Sequence, residues 1–217
     1  MAENGLAVKG NNAGLSCALF PQRLPSVPAL RYGCAASIQR PNMPVTQDAL
    51  FSYLDQLGVA HSTIGHPALF TVEDGRQWHD RIPGLHCKNL FLKARDGQLF
   101  LVLMPADKRA MLGLLEKRLG CARLSFGKPD LLLDVMGLTP GSVTPFGLLN
   151  DIGRRLSVVV DIDLHAAETV NFHPLRNDAS TTLSSAGLMI FIRSLGYAPI
   201  VVNCGAGAVD DQSVSMQ

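Results

Sequence analysis

His86-Cys87-Lys88-Asn89-Leu90-Phe91-Leu92-Lys93, then Ala94-Arg95-Asp96-Gly97, then Gln98-Leu99-Phe100-Leu101-Val102-Leu103 is the stretch on which the fold turns. Two apolar-rich runs flank Asp-Gly, a dipeptide that tolerates the positive φ angles of a type I′ turn. The segment is therefore expected to form a β-hairpin. Near the start of its first strand stands Lys88, a charge among apolar neighbours. A lysine there either faces solvent or holds a charged ligand. Neighbours on a strand point to opposite faces, so a pocket-facing Lys88 would turn Cys87 toward the core. That argues against Cys87 as a nucleophile, although the adjacent lysine would favour its thiolate.

Around the hairpin the pattern is mixed. Thr46 is a plausible N-cap for a helix whose face carries Ala49, Leu50, Tyr53, Leu54 and Leu57, with Gly58 as its stop. Val59 to Ile64 reads as a short strand. Thr71 with Asp74 resembles a capping box that opens a second helix toward Trp78. Asp107 is expected to cap a third helix through Met111, Leu114, Leu115 and Leu119, ended by Gly120. Pro129 suits the first turn of another helix, Asp130 to Val135. Leu156 to Ile162 is a β-branched run expected to be a buried strand. Ser184 caps a helix through Leu188, Met189, Phe191, Ile192 and Leu195, closed by Gly196, and Ile200 to Val202 reads as a last strand. There is no regular βαβ alternation. The expected class is α+β, a mixed and partly antiparallel sheet with flanking helices.

Composition narrows the function. The chain has 217 residues, 47% hydrophobic and 17% charged, enough for one domain with a sizeable core. A net charge of +1 offers no global basic field, so any contact with nucleic acid must be local. No apolar run reaches the ~18 residues of a membrane span. The five cysteines have neither zinc spacing nor the look of a disulfide framework, which points to a reducing, cytoplasmic setting. Residues 1–42 carry one acid, Glu3, with much Gly, Ala, Ser, Asn and Pro; they read as a disordered extension. Met43 is a candidate functional initiator. The ordered domain is expected over 43–204, with a flexible tail over 205–217.

Two further features can carry chemistry. Gly137-Leu138-Thr139-Pro140-Gly141-Ser142-Val143-Thr144-Pro145 is a stiff loop with exposed backbone groups. On composition it is either a tight connection or the backbone-lined wall of a pocket, and it lacks the lysine and spacing of a phosphate loop. Asn171-Phe172-His173-Pro174, followed by Ser180-Thr181-Thr182, sets a histidine among small hydrogen-bonding side chains. Such a histidine is either a satisfied structural residue or a functional one. His66 and His86 read as structural. His-Glu-x-x-His, Cys-x-x-Cys and Gly-x-Ser-x-Gly are all missing, so neither a bound metal nor a cofactor is expected. Lys108, Arg109, Lys117 and Arg118 form a local basic cluster whose default reading is a solvated helix face.

Taken together, Phe70-Thr71-Val72-Glu73, the Lys88-Asn89-Leu90-Phe91-Leu92 strand, Gly141-x-x-x-Pro145 and Phe172-His173-Pro174 with Thr181-Thr182 resemble the YbaK-type prolyl-tRNA-synthetase-associated editing domains. The likeness runs from about Pro44 to Asn203 and is best to the free-standing branch called ProXp-ala or PrdX. It implies a trans-editing aminoacyl-tRNA deacylase, an ester hydrolase that clears mischarged tRNA(Pro), with alanine the expected wrong amino acid. The same fold with Cys- or Ser-tRNA specificity, or a non-catalytic tRNA- or synthetase-binding module, are the alternatives. The resemblance makes Lys88, Gly141 and His173 the catalytic residues. Asn89, Ser142, Pro145 and Thr182 are the implied substrate contacts. The implied partners are the acceptor end of tRNA(Pro) and, as a further candidate, prolyl-tRNA synthetase. From charge positions alone, Lys108, Arg109 or Arg154 would carry the acceptor stem.

Overall fold

The computed structural model describes residues 44–68, 78 and 81–206. The expected Thr71–Asp74 capping box, Met43 and most of both terminal segments lie outside the described residues.

Thr46 caps α1 (Gln47–Gln56), its side chain accepting from the Ala49 amide, and Gly58 takes the left-handed φ of +67° beyond the helix. Strand β1 (His61–Gly65) follows. The hairpin forms as β2 (Leu85–Ala94) and β3 (Leu99–Pro105), registered from Cys87↔Pro105 to Lys93↔Leu99. Its turn differs from the expected type I′. Only Gly97 has positive φ, +99°; Asp96 does not. The Gly97 amide donates to the Ala94 carbonyl and the Ala94 amide to the Gln98 carbonyl. This is a three-residue connection with a glycine bulge. The Asp96 carboxylate takes the Gln98 amide instead of flipping its own backbone.

Beyond β3, the expected Asp107 cap does not form. Arg109–Ala110 is the short strand β4, and α2 (Leu112–Leu119) starts two residues after it, with Met111 at the N-cap and no side-chain cap. The reason is long-range: β4 pairs antiparallel with Gly205–Ala206, which draws this backbone out of helical geometry. Gly120 ends α2 in the left-handed region, as expected. Then come β5 (Leu124–Phe126), α3 (Pro129–Met136) with proline in its first turn, and a 3₁₀ helix (Pro145–Leu149). Strand β6 (Leu156–Asp161) runs into α4 (Ile162–Ala166). Strands β7 (Thr169–Phe172) and β8 (Ala179–Ser184) lead to α5 (Ser185–Ser194), capped by Ser184. Strands β9 (Ile200–Val202) and β10 (Gly205–Ala206) close the order.

One mixed sheet of eight strands organises the fold, in the order β1-β8-β7-β2-β3-β6-β9 with β5 added to β2. The β2–β3 pair is antiparallel, whereas β2–β7, β3–β6 and β6–β9 are parallel. Every residue of β3 is buried, because the sheet is covered on both faces. Leu99, Leu101 and Leu103 join the larger core with α1, α3, α4, α5 and the 3₁₀ helix. Phe100, Val102 and Met104 join a smaller core with Leu115 of α2, Leu124 and Cys204. The larger core is stitched at its rim by Asn150, which accepts from the Val45 amide and donates to the Met136 carbonyl.

Leu103 sits in the middle of the sheet, registered with Asn89 on one side and Val160 on the other, with no exposed surface. Leu103→Ala is expected to lower the unfolding free energy by about 2–5 kcal/mol. Urea unfolding checks this, and a loss below about 1 kcal/mol would show that β3 is not the packed centre of the sheet.

Candidate active site

One flank of β2 pairs with β3 along its length. On the other flank, β7 pairs with Leu85 and His86, and β5 takes over only at Leu92. Among the described residues, Cys87 to Phe91 have no ladder partner on that side. The Gly127 amide closes the far end on the Phe91 carbonyl, at 2.9 Å. A Cβ at Gly127 would stand 2.2 Å from the Phe91 ring, so only glycine allows this approach. The sheet thus carries a notch, with Lys88 and Asn89 on its lip.

Strand alternation sends these two side chains to opposite faces. Asn89 lies on the face of Cys87 and Phe91, above the larger core, and its Nδ2 donates to the Val143 carbonyl at 2.8 Å. Its Oδ1 is buried and accepts nothing. Lys88 lies on the face of Leu90 and Leu92, past the edge of the smaller core, and its Nζ donates to the Ala106 carbonyl at 3.0 Å. Burial holds the Lys88 ammonium below its ordinary pKa, with Asp107 pulling the other way. Cys87 is no nucleophile. Burial pushes its thiol up to about 12, and the thiol donates to the Leu85 carbonyl.

The loop after α3 is fixed at both ends. Gly137 caps α3 with φ +64°, and the Ser142 amide donates back to the Thr139 carbonyl at 3.1 Å. Thr144 caps the 3₁₀ helix by accepting from the Phe146 amide, and Pro145 is buried in its first turn. Gly141, at the exposed tip, has φ +89°, a conformation that a side chain would strain. Asn89 thus pins the loop at Val143 while Gly141 and Ser142 stay toward solvent.

His173 immediately follows β7, the partial neighbour of β2, and Thr182 lies on β8, one strand further out. The Ala179 carbonyl can only accept, so its 2.8 Å contact puts the proton on His173 Nδ1 and leaves Nε2 as an acceptor. Burial, helped by the nearby His66, holds the His173 pKa below its ordinary value. The two rings lie 5.9 Å apart. His66 is itself buried, bonded to the Pro67 carbonyl and the Ser180 hydroxyl, with Trp78 tilted against it. Thr182 Oγ1 donates to Asn171 Oδ1, its cross-strand partner, and Asn171 Nδ2 donates to the Pro83 carbonyl at 2.9 Å. Asn171 therefore ties β8 to the segment that enters β2.

Such a geometry presents an ammonium, a neutral imidazole acceptor, a buried amide oxygen and a rigid backbone loop. Among the described residues no group of three His, Cys, Asp or Glu side chains is placed to hold a metal ion. The sequence model of a family described as "Aminoacyl-tRNA editing domain" matches residues 66–191. This chain belongs to that family.

Relatives agree with the assignment. The editing domain is 33% identical over 156 residues to prolyl-tRNA synthetase associated domain-containing protein 1 of Danio rerio, covering 71% of this chain and 85% of that protein. It is 32% identical over 151 residues to the prolyl-tRNA editing protein ProX of Acetoanaerobium sticklandii, covering 69% of this chain and 92% of that protein. A crystal structure of a candidate trans-editing enzyme for prolyl-tRNA synthetase superimposes with a TM-score of 0.58 at 19% identity, covering 75% of this chain and 99% of that one. At that identity the likeness concerns the fold alone.

Within the editing domain, Asn89 touches the 141–145 loop at Val143, Lys88 points to the other face onto Ala106, His173 follows β7 and Thr182 lies on β8. Lys108 does not join a basic surface. It is 4% exposed and ion-paired with Asp161 at 2.9 Å and Asp163 at 2.7 Å. Neither Lys108 nor Arg109 is on α2. Arg154 is exposed, with its guanidinium against Gly196. Sequence reading gave no role to Asn171 or to the Ala106 carbonyl. A polar residue between Val170 and Phe172 was a usable signal for the first. No signal exists for a backbone carbonyl.

Two outcomes follow from the geometry. Because the fold favours neutral His173, unfolding takes up a proton as pH falls from 6.5 to the folded-state midpoint. The stability due to the neutral ring is full above that window and falls as pH drops through it. An NMR titration is expected to place the ring's midpoint below 6.5; a midpoint at or above that value would contradict the burial account. Separately, Asn89→Ala removes the donor to Val143. Amide exchange across residues 139–143 should speed up about tenfold or more, the loss of roughly 1.5 kcal/mol of local stability. Unchanged exchange would show that the loop is held by its own turn.

Proposed function

We propose that the protein is a trans-editing aminoacyl-tRNA deacylase that hydrolyses the ester of mischarged tRNA(Pro), with alanine as the wrong amino acid. The observation that supports this reading is the stretch of β2, in a chain of the editing family, where Asn89 holds the Gly141–Pro145 loop at Val143 and the neighbouring Lys88 rests on the Ala106 carbonyl. The prolyl-tRNA editing role named for the Acetoanaerobium sticklandii relative supports the choice of tRNA.

In this reading Lys88 exchanges the Ala106 carbonyl for a phosphate or ribose oxygen of the terminal adenosine. Burial has already stripped part of its water, so an anionic partner is favoured. Asn89 Oδ1, buried and unpartnered, accepts from the substrate, and the α-ammonium is the donor of the right sign. Gly141, at the exposed tip, brings its backbone amide toward the oxygen that gains charge, while the Ser142 amide stays on the Thr139 carbonyl and holds the tip in place. His173 Nε2 and Thr182 orient the substrate or the attacking water. Water adds to the ester carbonyl carbon, the bond to the ribose oxygen breaks, and the proton passes to that oxygen. The vicinal ribose hydroxyl is placed to help this transfer. The products are free amino acid and uncharged tRNA.

Selecting alanine over proline is a problem of size, in which one or two methylenes are worth only ~1–3 kcal/mol. A loop pinned by Asn89, capped by Thr144 and anchored by buried Pro145 is a wall that yields little to a larger ring. Proline's secondary ammonium also offers fewer N–H donors than alanine's. With Lys108 buried, exposed Arg109 and Arg154 are the positive candidates for the acceptor stem.

Purified protein should deacylate alanyl-tRNA(Pro) while sparing prolyl-tRNA(Pro), and Lys88→Ala should lower the rate at least about a hundredfold with the circular dichroism spectrum unchanged. Preference for cysteinyl- or seryl-tRNA(Pro) would move the specificity but keep the chemistry. Binding of tRNA without turnover of any ester would defeat the deacylase reading.

A further inference from the structure

The buried ion pair around Lys108 lies outside the notch, yet the chain connects the two directly. Lys88 Nζ rests on the Ala106 carbonyl. Ala106 is the second residue of a four-residue turn, Pro105-Ala106-Asp107-Lys108, closed by the Lys108 amide donating to the Pro105 carbonyl at 3.3 Å. The Ala106 amide donates to the His86 carbonyl at 2.8 Å, which keeps the turn registered on β2. The residue that closes the turn is the one whose side chain is clamped.

The clamp joins distant segments. Asp161 has no exposed surface; its Oδ1 accepts from Lys108 Nζ and from the Asp163 amide, and its Oδ2 from the Cys204 amide at 2.6 Å. Asp163, mostly exposed, gives Lys108 a second carboxylate. One carboxylate thus fastens the end of β6, the start of α4, the chain leading into β10 and the turn after β3. An ion pair this deeply buried is a poor way to gain stability, since a well-packed apolar pair of similar volume often serves as well or better. What it supplies is direction: it fixes where the 105–108 backbone sits.

We propose that Lys108 is a positioning residue for Lys88, its clamp on Asp161 and Asp163 holding the turn whose Ala106 carbonyl sets the place of the Lys88 ammonium. This rests on the deacylase reading for its kinetic consequence, though not for its structural one. Loss of the clamp lets the turn drift, Lys88 loses its rest position, and the substrate end is held off its productive geometry. A misplacement on the order of 1 Å costs about a hundredfold in rate.

The test uses the full chain. Lys108→Met alone would strand Asp161 as a buried charge, so the informative variant is Lys108→Met with Asp161→Asn, which removes both charges and keeps the volumes. Asp163→Asn, at an exposed position, is the gentler second variant. Lysines are reductively methylated with ¹³C, and the Lys88 resonance is identified by its loss in Lys88→Arg. In the folded double variant that resonance is expected to move, and the single-turnover deacylation rate to fall about ten- to a hundredfold while KM stays within about a factor of two. In Asp163→Asn the same resonance shifts less. An unmoved Lys88 resonance in either folded variant overturns the proposal. So does an unchanged rate in a folded double variant whose parent is active. If the parent deacylates nothing, the deacylase reading fails, and the resonance alone decides the role of Lys108.

Discussion

The pairing of β2 with β3 is the constraint on which the rest depends. It places one strand, β2, at the centre of a mixed sheet, with a full antiparallel neighbour on one flank and two partial neighbours on the other. Because β3 is buried on both faces, the hairpin cannot rotate or slip without exposing one of the two cores. The Cys87–Phe91 stretch is therefore held in place by β3 although, among the described residues, its other flank has no ladder partner. A binding site gains from such support because its geometry is fixed before a ligand arrives.

Alternation along β2 then separates two tasks. Asn89 looks toward the larger core and disciplines the 139–145 loop. Lys88 looks the other way and is parked on a carbonyl. Neighbouring positions on one strand therefore anchor two different backbone segments, the loop before the 3₁₀ helix and the turn after β3.

Local signals in the sequence were legible, and non-local ones were not. Thr46, Ser184, Pro129 and Gly120 announced helix ends because capping is decided within a few residues. The Asp96-Gly97 turn announced a hairpin but not its type, since the Asp96 side chain found a better bond to Gln98. Asp107 misled because β4 pairs with residues far along the chain, and that pairing outweighs a capping preference. Lys108 looked like a surface charge because Asp161 is 53 residues away. The candidate site residues Lys88, Gly141–Pro145 and His173 stood out through resemblance. That Lys88 and Asn89 flank a notch required knowing which strand lies beside β2, and no periodicity encodes that.

The burial of Cys87 has a consequence for the environments in which the protein can work. Burial that raises the thiol to about 12 keeps it protonated at neutral pH. Peroxides and electrophiles attack the thiolate, so the cysteine next to Lys88 is a slow target for them. Cys204, beside the Asp161 carboxylate, is raised to a similar value for the same cause of burial. The strand that carries Lys88 and the clamp at Asp161 thus both hold their cysteine in the protonated form, the one that oxidants attack slowly.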